Sequence, residues 1–394
     1  MRGSRGFVLV TTVGVLAFFT VAGSALFIRG LWEAGASQRT YHRSNALHLA
    51  EAALNQAARN LRTATAVDDV MAATLATGGF QIDPPQGLGS QLVQVTARGA
   101  SQQEQRRLEA VFRLTPESLF QFALFGDQFL NIGGNVLTDS YRSSVGPYDP
   151  APGPGSNAGH NGDIGTNAVA PGGVAVSGSL FIDGQVAVGY DVPDPLSVVV
   201  GYDPLFITGG TSPPSDTQDV VSQSSVFPMP PVTVPAGLPC ADFTVSSDTV
   251  ETLSPAGGPK GDGVYCYRDL TLQGGGTLSP SGPVTVYITG QFIARGNSVM
   301  GLASDPTQLV VLMSASGDAT LEQGTLTGST EFYGALYGPQ STLQITGNAT
   351  IFGSVIAQSI NVSGSAAIHY DEAMADLTQV SNTFKTTRIA WREL

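Results

Sequence analysis

The sequence predicts an α+β chain in several parts: a long N-terminal helix whose first half can span a membrane, a small β-hairpin neck, and a C-terminal all-β domain. That last domain reads as a right-handed parallel β-helix, with a β-sandwich as the alternative. Three observations carry the prediction. Phe7 to Ile28 is an uncharged apolar run of about 22 residues. The chain holds 48 Gly and 24 Pro with only 12% charged residues, so it cannot be long-helical throughout. Beyond Leu119, short apolar runs bounded by Gly, Ser, Asn or Pro return about every 20 residues.

As a helix, Phe7–Ile28 would be roughly 33 Å long, enough to cross a hydrocarbon core. The leader MRGSRG carries Arg2 and Arg5, and Arg29 follows the run. Positive charge on a short leader favours a cytoplasmic N-terminus with everything after Ile28 on the far side. A plain anchor and a cleaved secretory signal both fit, the latter because Val21-Ala22-Gly23 or Gly23-Ser24-Ala25 offers small residues for cleavage. The helical period then continues: Leu31, Ala34, Ala46, Leu49, Ala50, Ala53, Leu54, Ala57, Ala58 and Leu61 recur at three- and four-residue steps, with no Pro before Pro84. One helix of roughly 55 residues is expected, apolar all round over 7–28 and amphipathic over a spine at 29–76. A short helical stretch at Asp68–Ala76 would close it. Leu16, Leu47, Ala50, Ala53, Leu54 and Leu61 are the candidate helix-packing positions.

Arg5-Gly6-Phe7, the apolar run and the segment ALHLAEAALNQAARNL from Ala46 to Leu61 together resemble the type IV pilins, and within them the PilX-type minor pilins and pseudopilin-like assembly proteins. The resemblance covers about the first 65 residues. It implies that a prepilin peptidase cuts after Gly6, removing leader 1–6, and methylates Phe7. It also implies a single-pass protein of the bacterial inner membrane, its head periplasmic or on the cell surface. The implied partners are other pilin subunits, pilus or secretion machinery, and a surface or polysaccharide ligand for the head. One position departs from the pattern. Main pilins carry a glutamate five residues into the mature chain, where this sequence has Thr11, and that points to a minor or tip-located subunit.

The net charge is −13, and basic residues concentrate before Arg113. A nucleic-acid-binding basic patch is therefore not expected. Cys240 and Cys266 are the two cysteines; in an exported segment they predict a disulfide closing a loop of roughly 25 residues and stabilising by about 3 kcal/mol. Two separate buried thiols are the alternative.

LVQVTAR and RRLEAVFRL, separated by GASQQEQ, predict a hairpin in the neck, 77–116. The head, 117–371, shows its clearest runs at Val284, Gln308, Glu331 and Thr350, with starts about 19 to 24 residues apart. Gly290, Gly296, Gly328, Gly338, Gly347, Gly353 and Gly364 fall where corners must turn. The stretch 141–240 reads as long loops with weak strands between them. Thr138-Asp139-Ser140-Tyr141 with Ser143, and the close at His369-Tyr370-Asp371, resemble the two ends of a β-helical domain in PilX-associated bacterial surface proteins. Glu372–Leu377 is expected to cap the last coil, and the tail KTTRIAWREL to fold back as a strand within 372–394.

Such scaffolds also carry polysaccharide-processing enzymes, which need clustered carboxylates or a placed base. Asp139, Asp149, Asp163, Asp183, Arg142, Arg268, Arg295 and His160 are scattered over separate segments. No catalytic residue, cofactor or resident metal is therefore expected. Asp139 reads as a turn residue, His160 as a loop residue and His369 as a hydrogen-bonded cap. Calcium on Asp149, Asp163 or Asp262 would suit an acidic exported domain, but no D-x-D-x-D-G loop is present.

Overall fold

The computed structural model describes residues 4–62, 72–75, 78–89, 91–116, 118–150, 157–201, 207, 219–314, 322–377 and 384–394. It forms two compact units, Met1–Pro116 with Asn382–Leu394, and Glu117–Ser381. The second unit is an insertion between the last two strands of the first.

In the first unit a single helix, α1, runs from Ser4 to Arg62, about 88 Å at 1.5 Å per residue. Its apolar portion is long and apolar enough to cross a membrane by length and composition, and that portion is not buried inside the chain. The outer end of α1 buries Ala46, Leu49, Ala50, Ala53, Leu54, Ala57 and Leu61, all on one face at three- and four-residue steps. They meet Ile82, Val95, Ala97, Leu108, Ala110 and Phe112 of a β-sheet.

That sheet comprises β1 (Ala72–Leu75), β2 (Gly78–Ile82), β3 (Gln86–Gly89), β4 (Leu92–Ser101) and β5 (Glu104–Pro116), followed by the C-terminal strand Phe384–Glu393. The order is β1-β2-β4-β5-C-terminal strand, with β3 also on β4 and every pairing antiparallel. The β4–β5 hairpin runs in register from Leu92↔Arg113 to Ser101↔Glu104. Alternation sets its faces: Val95, Ala97, Leu108 and Ala110 turn to the helix, while Arg98 and Arg107 turn to solvent. A Cβ on Gly99 would press on the Ala46 carbonyl and lie 2.5 Å from the Ala50 amide. Small residues on both elements therefore let the helix backbone rest on the strand.

The helical expectation for 29–76 needs correction. The helix ends at Arg62, Ala72–Leu75 is a strand, and residues 63–71 and 76 lie outside the described residues. The 78–81 segment pairs with Ala72–Leu75, so chain that was helical by composition is recruited by an available sheet edge. The tail also finds a different place from the one expected. Lys385↔Thr115 through Glu393↔Leu108 put it on β5 of this unit, not on the head.

The second unit is a stack of rungs. Each rung contributes strands to three tracks, and every named strand pairing is parallel; a single antiparallel bridge joins Ser140 and Gly159. Among the described residues the head has no facing antiparallel sheets. Inward Val284, Val286 and Ile288 alternate with half-buried Thr285 and Tyr287, and the pattern recurs from rung to rung to fill one continuous core.

The rungs do not stack in sequence order. The first head strand, β6 (Leu124–Tyr141), pairs on one side with Thr350–Val362 and Ala367–Asp371, and on the other with Ile164–Thr166 and Val174–Ile182. The rung expected to be last is thus interior, and the Glu372–Asp376 turn of 3₁₀ helix caps no stack end. Among the described residues the pairings end at the rungs of Ala241–Val245 and Val220–Gln223.

Seven glycines with φ between +57° and +98°, Gly274, Gly296, Gly328, Gly347, Gly364, Gly134 and Gly178, stack along one corner. The ladder crosses the non-sequential junction from Gly364 to Gly134 without a break. A Cβ on Gly364 would lie 2.5 Å from the Gly347 carbonyl oxygen, so the corner needs glycine for space as well as for φ. Gly290 and Gly338, also expected at corners, have no positive φ.

The Pro-rich segment 224–240, expected as a loop, is a strap. It links the two ends of the stack, some eight steps of roughly 4.8 Å apart, a span that only an extended segment of this length can cover. Phe227, Met229 and Val232 pack on the core. Asn167 Nδ2 donates to the Phe227 carbonyl at 2.8 Å, the Phe227 amide donates back at 2.9 Å, and the Tyr337 hydroxyl donates to the Pro230 carbonyl at 2.6 Å.

Candidate functional site

Two regions carry the candidate residues: the apolar part of α1, and a buried polar cluster where β6 meets Ala367–Asp371.

Along α1, Leu16 is 66% exposed, as are its neighbours Phe18, Phe19, Val21, Leu26, Phe27 and Ile28 to a similar degree. Gly14, Gly23, Gly30 and Gly35 meet nothing within 4 Å of a built Cβ. The segment has no partner among the described residues and presents apolar surface all round. Trp32, 77% exposed, stands within the turn closed by the Arg29–Glu33 pair at 2.9 Å, a placement suited to a membrane–water boundary. Gly6 and Phe7 lie within the helix, but the side chains of Phe7 and Thr11 are outside the described residues. Leu47, Ala50, Ala53, Leu54 and Leu61 pack on the chain's own sheet, so this part of the expected packing stripe is consumed internally.

In the head, His369 Nδ1 lies 2.6 Å from Asp139 Oδ1, on register partners of adjacent parallel strands. The Tyr148 hydroxyl donates to Asp139 Oδ2 at 2.5 Å, and its ring stacks on the imidazole with centroids 3.9 Å apart. Burial, and then the Asp139 carboxylate, push the Tyr148 phenol well above its ordinary pKa. Beyond His369 the outward row continues through Phe352 to Tyr333, whose rings lie 4.5 Å apart and nearly parallel.

Asp139 is therefore not a turn residue. It sits in a strand, and its carboxylate takes side-chain donors in place of backbone amides. Next to it, Asp371 Oδ1 accepts from the Ser143 and Ala373 amides at 2.9 and 3.1 Å. Asp371 Oδ2 and the hydroxyl of its register partner Tyr141 are buried without hydrogen-bond partners. Burial raises the pKa of both groups.

The other ionisable candidates form separate pairs. His160 Nδ1 is 2.8 Å from Asp183 Oδ2, Arg142 reaches Asp376 at 3.0 Å, Arg268 pairs with Asp242, and Arg295 donates to Gln273. Asp163 Oδ1 accepts the Gln185 amide at 2.7 Å. Asp262 accepts the Val264 amide and Asp149 lies in the 148–150 loop. No group of three or more His, Cys, Asp or Glu residues suited to holding a metal occurs among the described residues. Cys240 and Cys266 are joined by a disulfide with Cα atoms 4.7 Å apart, pinning the far end of the strap to the Val264–Leu272 strand.

The chain thus combines a single apolar N-terminal helix with a large β-rich domain stacked from parallel strands. Residues 260–377 match the model of a domain of unknown function, DUF7305. No curated protein matches the chain. Among solved structures it is similar to the competence-associated pilin ComZ from Thermus thermophilus, with 12% identity over 90% of this chain and 97% of that one and a TM-score of 0.28. It is also similar to the DUF3494 domain of a Shewanella frigidimarina ice-binding protein, with 13% identity over 64% of this chain and 95% of that one and a TM-score of 0.23.

Proposed function

We propose that the chain is a pilin-like structural protein of the minor-pilin type, cut after Gly6 by a prepilin peptidase and anchored by α1 in the inner membrane of a bacterium. The observation that carries this reading is the division of labour along one helix. Its outer end packs on the neck sheet, while among the described residues the large apolar side chains from Val13 to Ile28 stay exposed. A bilayer would cover that surface first and equivalent helices would cover it after assembly into a pilus or pseudopilus. Thr11, where a main pilin has glutamate, supports a minor or tip subunit in this reading. In this reading the head is a right-handed parallel β-helix, the hand that nearly all parallel crossovers take. It works by display, for priming or adhesion, and carries out no catalysis; its most enzyme-like cluster has Asp139 and His369 turned on each other beneath a tyrosine ring.

N-terminal mass spectrometry of the exported protein tests the reading. A methylated Phe7 terminus is the expected result, and a retained Met1 would overturn it. An adhesin that stays anchored and never polymerises is the second reading, favoured by Thr11; deleting the chain would then alter surface attachment without changing fibre number.

A further inference from the structure

We infer that the glycine corner of the head is a binding ridge for a neutral, hydroxyl-rich polysaccharide. The inference rests on the reading of the head as a displayed domain. Each of six successive corner glycines is followed by Asn or Ser: Asn297, Ser329, Asn348, Ser365, Asn135 and Ser179, all exposed. Because the glycines stack, so do these side chains, in one row about 24 Å long at roughly 4.8 Å per step. The row passes through the non-sequential junction, where the Asn135 amide donates to the Gly364 carbonyl at 2.7 Å. The track beside the ridge is polar in the same way: Gln344, Asn361 and Asn131 face outward on adjacent rungs, Asn131 donating to Asn361 at 3.4 Å.

The other two tracks are covered. The strap 224–240 lies on one, and Tyr148 with the 306–308 turn packs on the other. The ridge track keeps its outward side chains exposed or half-buried. In a chain of net charge −13, the ridge carries charge only at one end, where Arg295 and Asp248 flank a shallow groove between Gln273, Gly274 and Gly296. An uncharged array of alternating hydroxyl and amide groups offers donors and acceptors but no ion to select a charged ligand, and the rest of the surface repels polyanions. Its partner must itself be neutral, rich in hydroxyls and repeating, so that many weak contacts act together along one line. A neutral glycan chain laid along the stack meets each condition.

The test is co-sedimentation of the full chain, in detergent, with microcrystalline cellulose and with chitin, alongside retention on alginate. Binding to at least one neutral glycan is expected, and the double variant Asn348→Asp with Asn135→Asp should weaken it at least tenfold. Ala303→Asp, on the 302–305 turn, should leave it unchanged. Both substituted asparagines are exposed, and thermal melting establishes that the variants fold. Ser365→Lys separates the ligand classes: it should also weaken binding to a neutral glycan. A gain in binding with this variant, retention on alginate alone, or undiminished binding by the double variant would each overturn the inference. So would shaping of ice crystals or self-association through the ridge without glycan retention. A chain with a methylated Phe7 terminus that binds no glycan would sink the ridge while leaving the proposed processing intact.

Discussion

His369 and Asp139 are 230 residues apart in the chain and 2.6 Å apart in space. They face outward from neighbouring rungs, under the Tyr148 ring, at the seam where the first strand of the head inserts beside the last. The seam holds both chain ends of the head: the Ser118 hydroxyl donates to the Met374 carbonyl at 2.8 Å, and the Tyr370 hydroxyl to the Phe120 carbonyl at 2.9 Å. Removing the shared acceptor of a buried hydrogen-bonded cluster leaves its donors desolvated and without a partner. Asp139→Ala is therefore expected to destabilise the head by about 3 kcal/mol, and Tyr148→Phe by about 1 kcal/mol for the lost hydrogen bond. Thermal melting followed by near-UV circular dichroism reads both. An Asp139→Ala chain that melts with the parent would show that the seam does not depend on this pair.

The motifs at this seam were legible as motifs, and their adjacency was not. A spacing of about 20 residues tells which runs follow one another around a stack, but a rung inserted out of order leaves no mark in the period. Hence Glu372–Leu377 looked like a terminal cap. Gly134 and Gly178 lie outside the regular series that starts at Val284, Gly178 within the loop-rich stretch 141–240 and Gly134 ahead of it, although each is followed by Asn or Ser like the corner glycines later in the chain. KTTRIAWREL was readable as a strand by alternation, but alternation does not name a partner. The disulfide and the long helix were readable because each depends on local composition alone.

Pro116 and Phe384 are register partners on antiparallel strands, so the whole head occupies the position of a hairpin turn. Replacing residues 117–383 by Asn-Gly, a pair that favours the tight turn such a hairpin needs, should leave the first unit folded. The expected result is a cooperative melt with both helical and sheet signals. A chain lacking a cooperative transition would mean that the neck depends on the head for its fold.

The corner ladder makes a graded prediction among glycines. A Cβ on Gly347 would lie 2.8 Å from the Gly328 amide nitrogen, whereas one on Gly237, with φ +74°, would meet nothing within 4 Å. Gly237→Ala carries the cost of the positive φ alone, about 1 kcal/mol. Gly347→Ala adds a backbone clash inside a stack that cannot open at one rung, and should cost at least about 2 kcal/mol more. Comparable melting of the two variants would contradict stacking as the reason for glycine.

The strap is held at its far end by Cys240–Cys266, and the Lys260 ammonium donates to the Ala236 carbonyl at 3.2 Å nearby. Cys266→Ser is expected to cost about 3 kcal/mol in the chain-entropy account of a loop this size. It should also open residues 226–239 to proteolysis before the rest of the head. Cleavage that begins elsewhere, with the strap intact, would show that Phe227, Pro230 and Tyr337 hold it without help.

Burial raises the pKa of the Asp163 and Asp371 carboxyls, so the folded head binds their protons more tightly than the unfolded chain does. A carboxyl of this kind contributes stability below its unfolded pKa and loses that contribution as pH rises through the folded one. Most paired carboxylates act in the opposite sense. Asp371→Asn removes one such titration while its Oδ1 can still accept from the Ser143 and Ala373 amides. The variant should therefore melt at or above the parent at pH 7, with the difference shrinking toward pH 4 as the parent takes up its proton. Melting curves of the two chains at both pH values decide the sign. A parent that gains stability over the variant as pH rises would mean that Asp371 is better solvated, charged, than its burial allows.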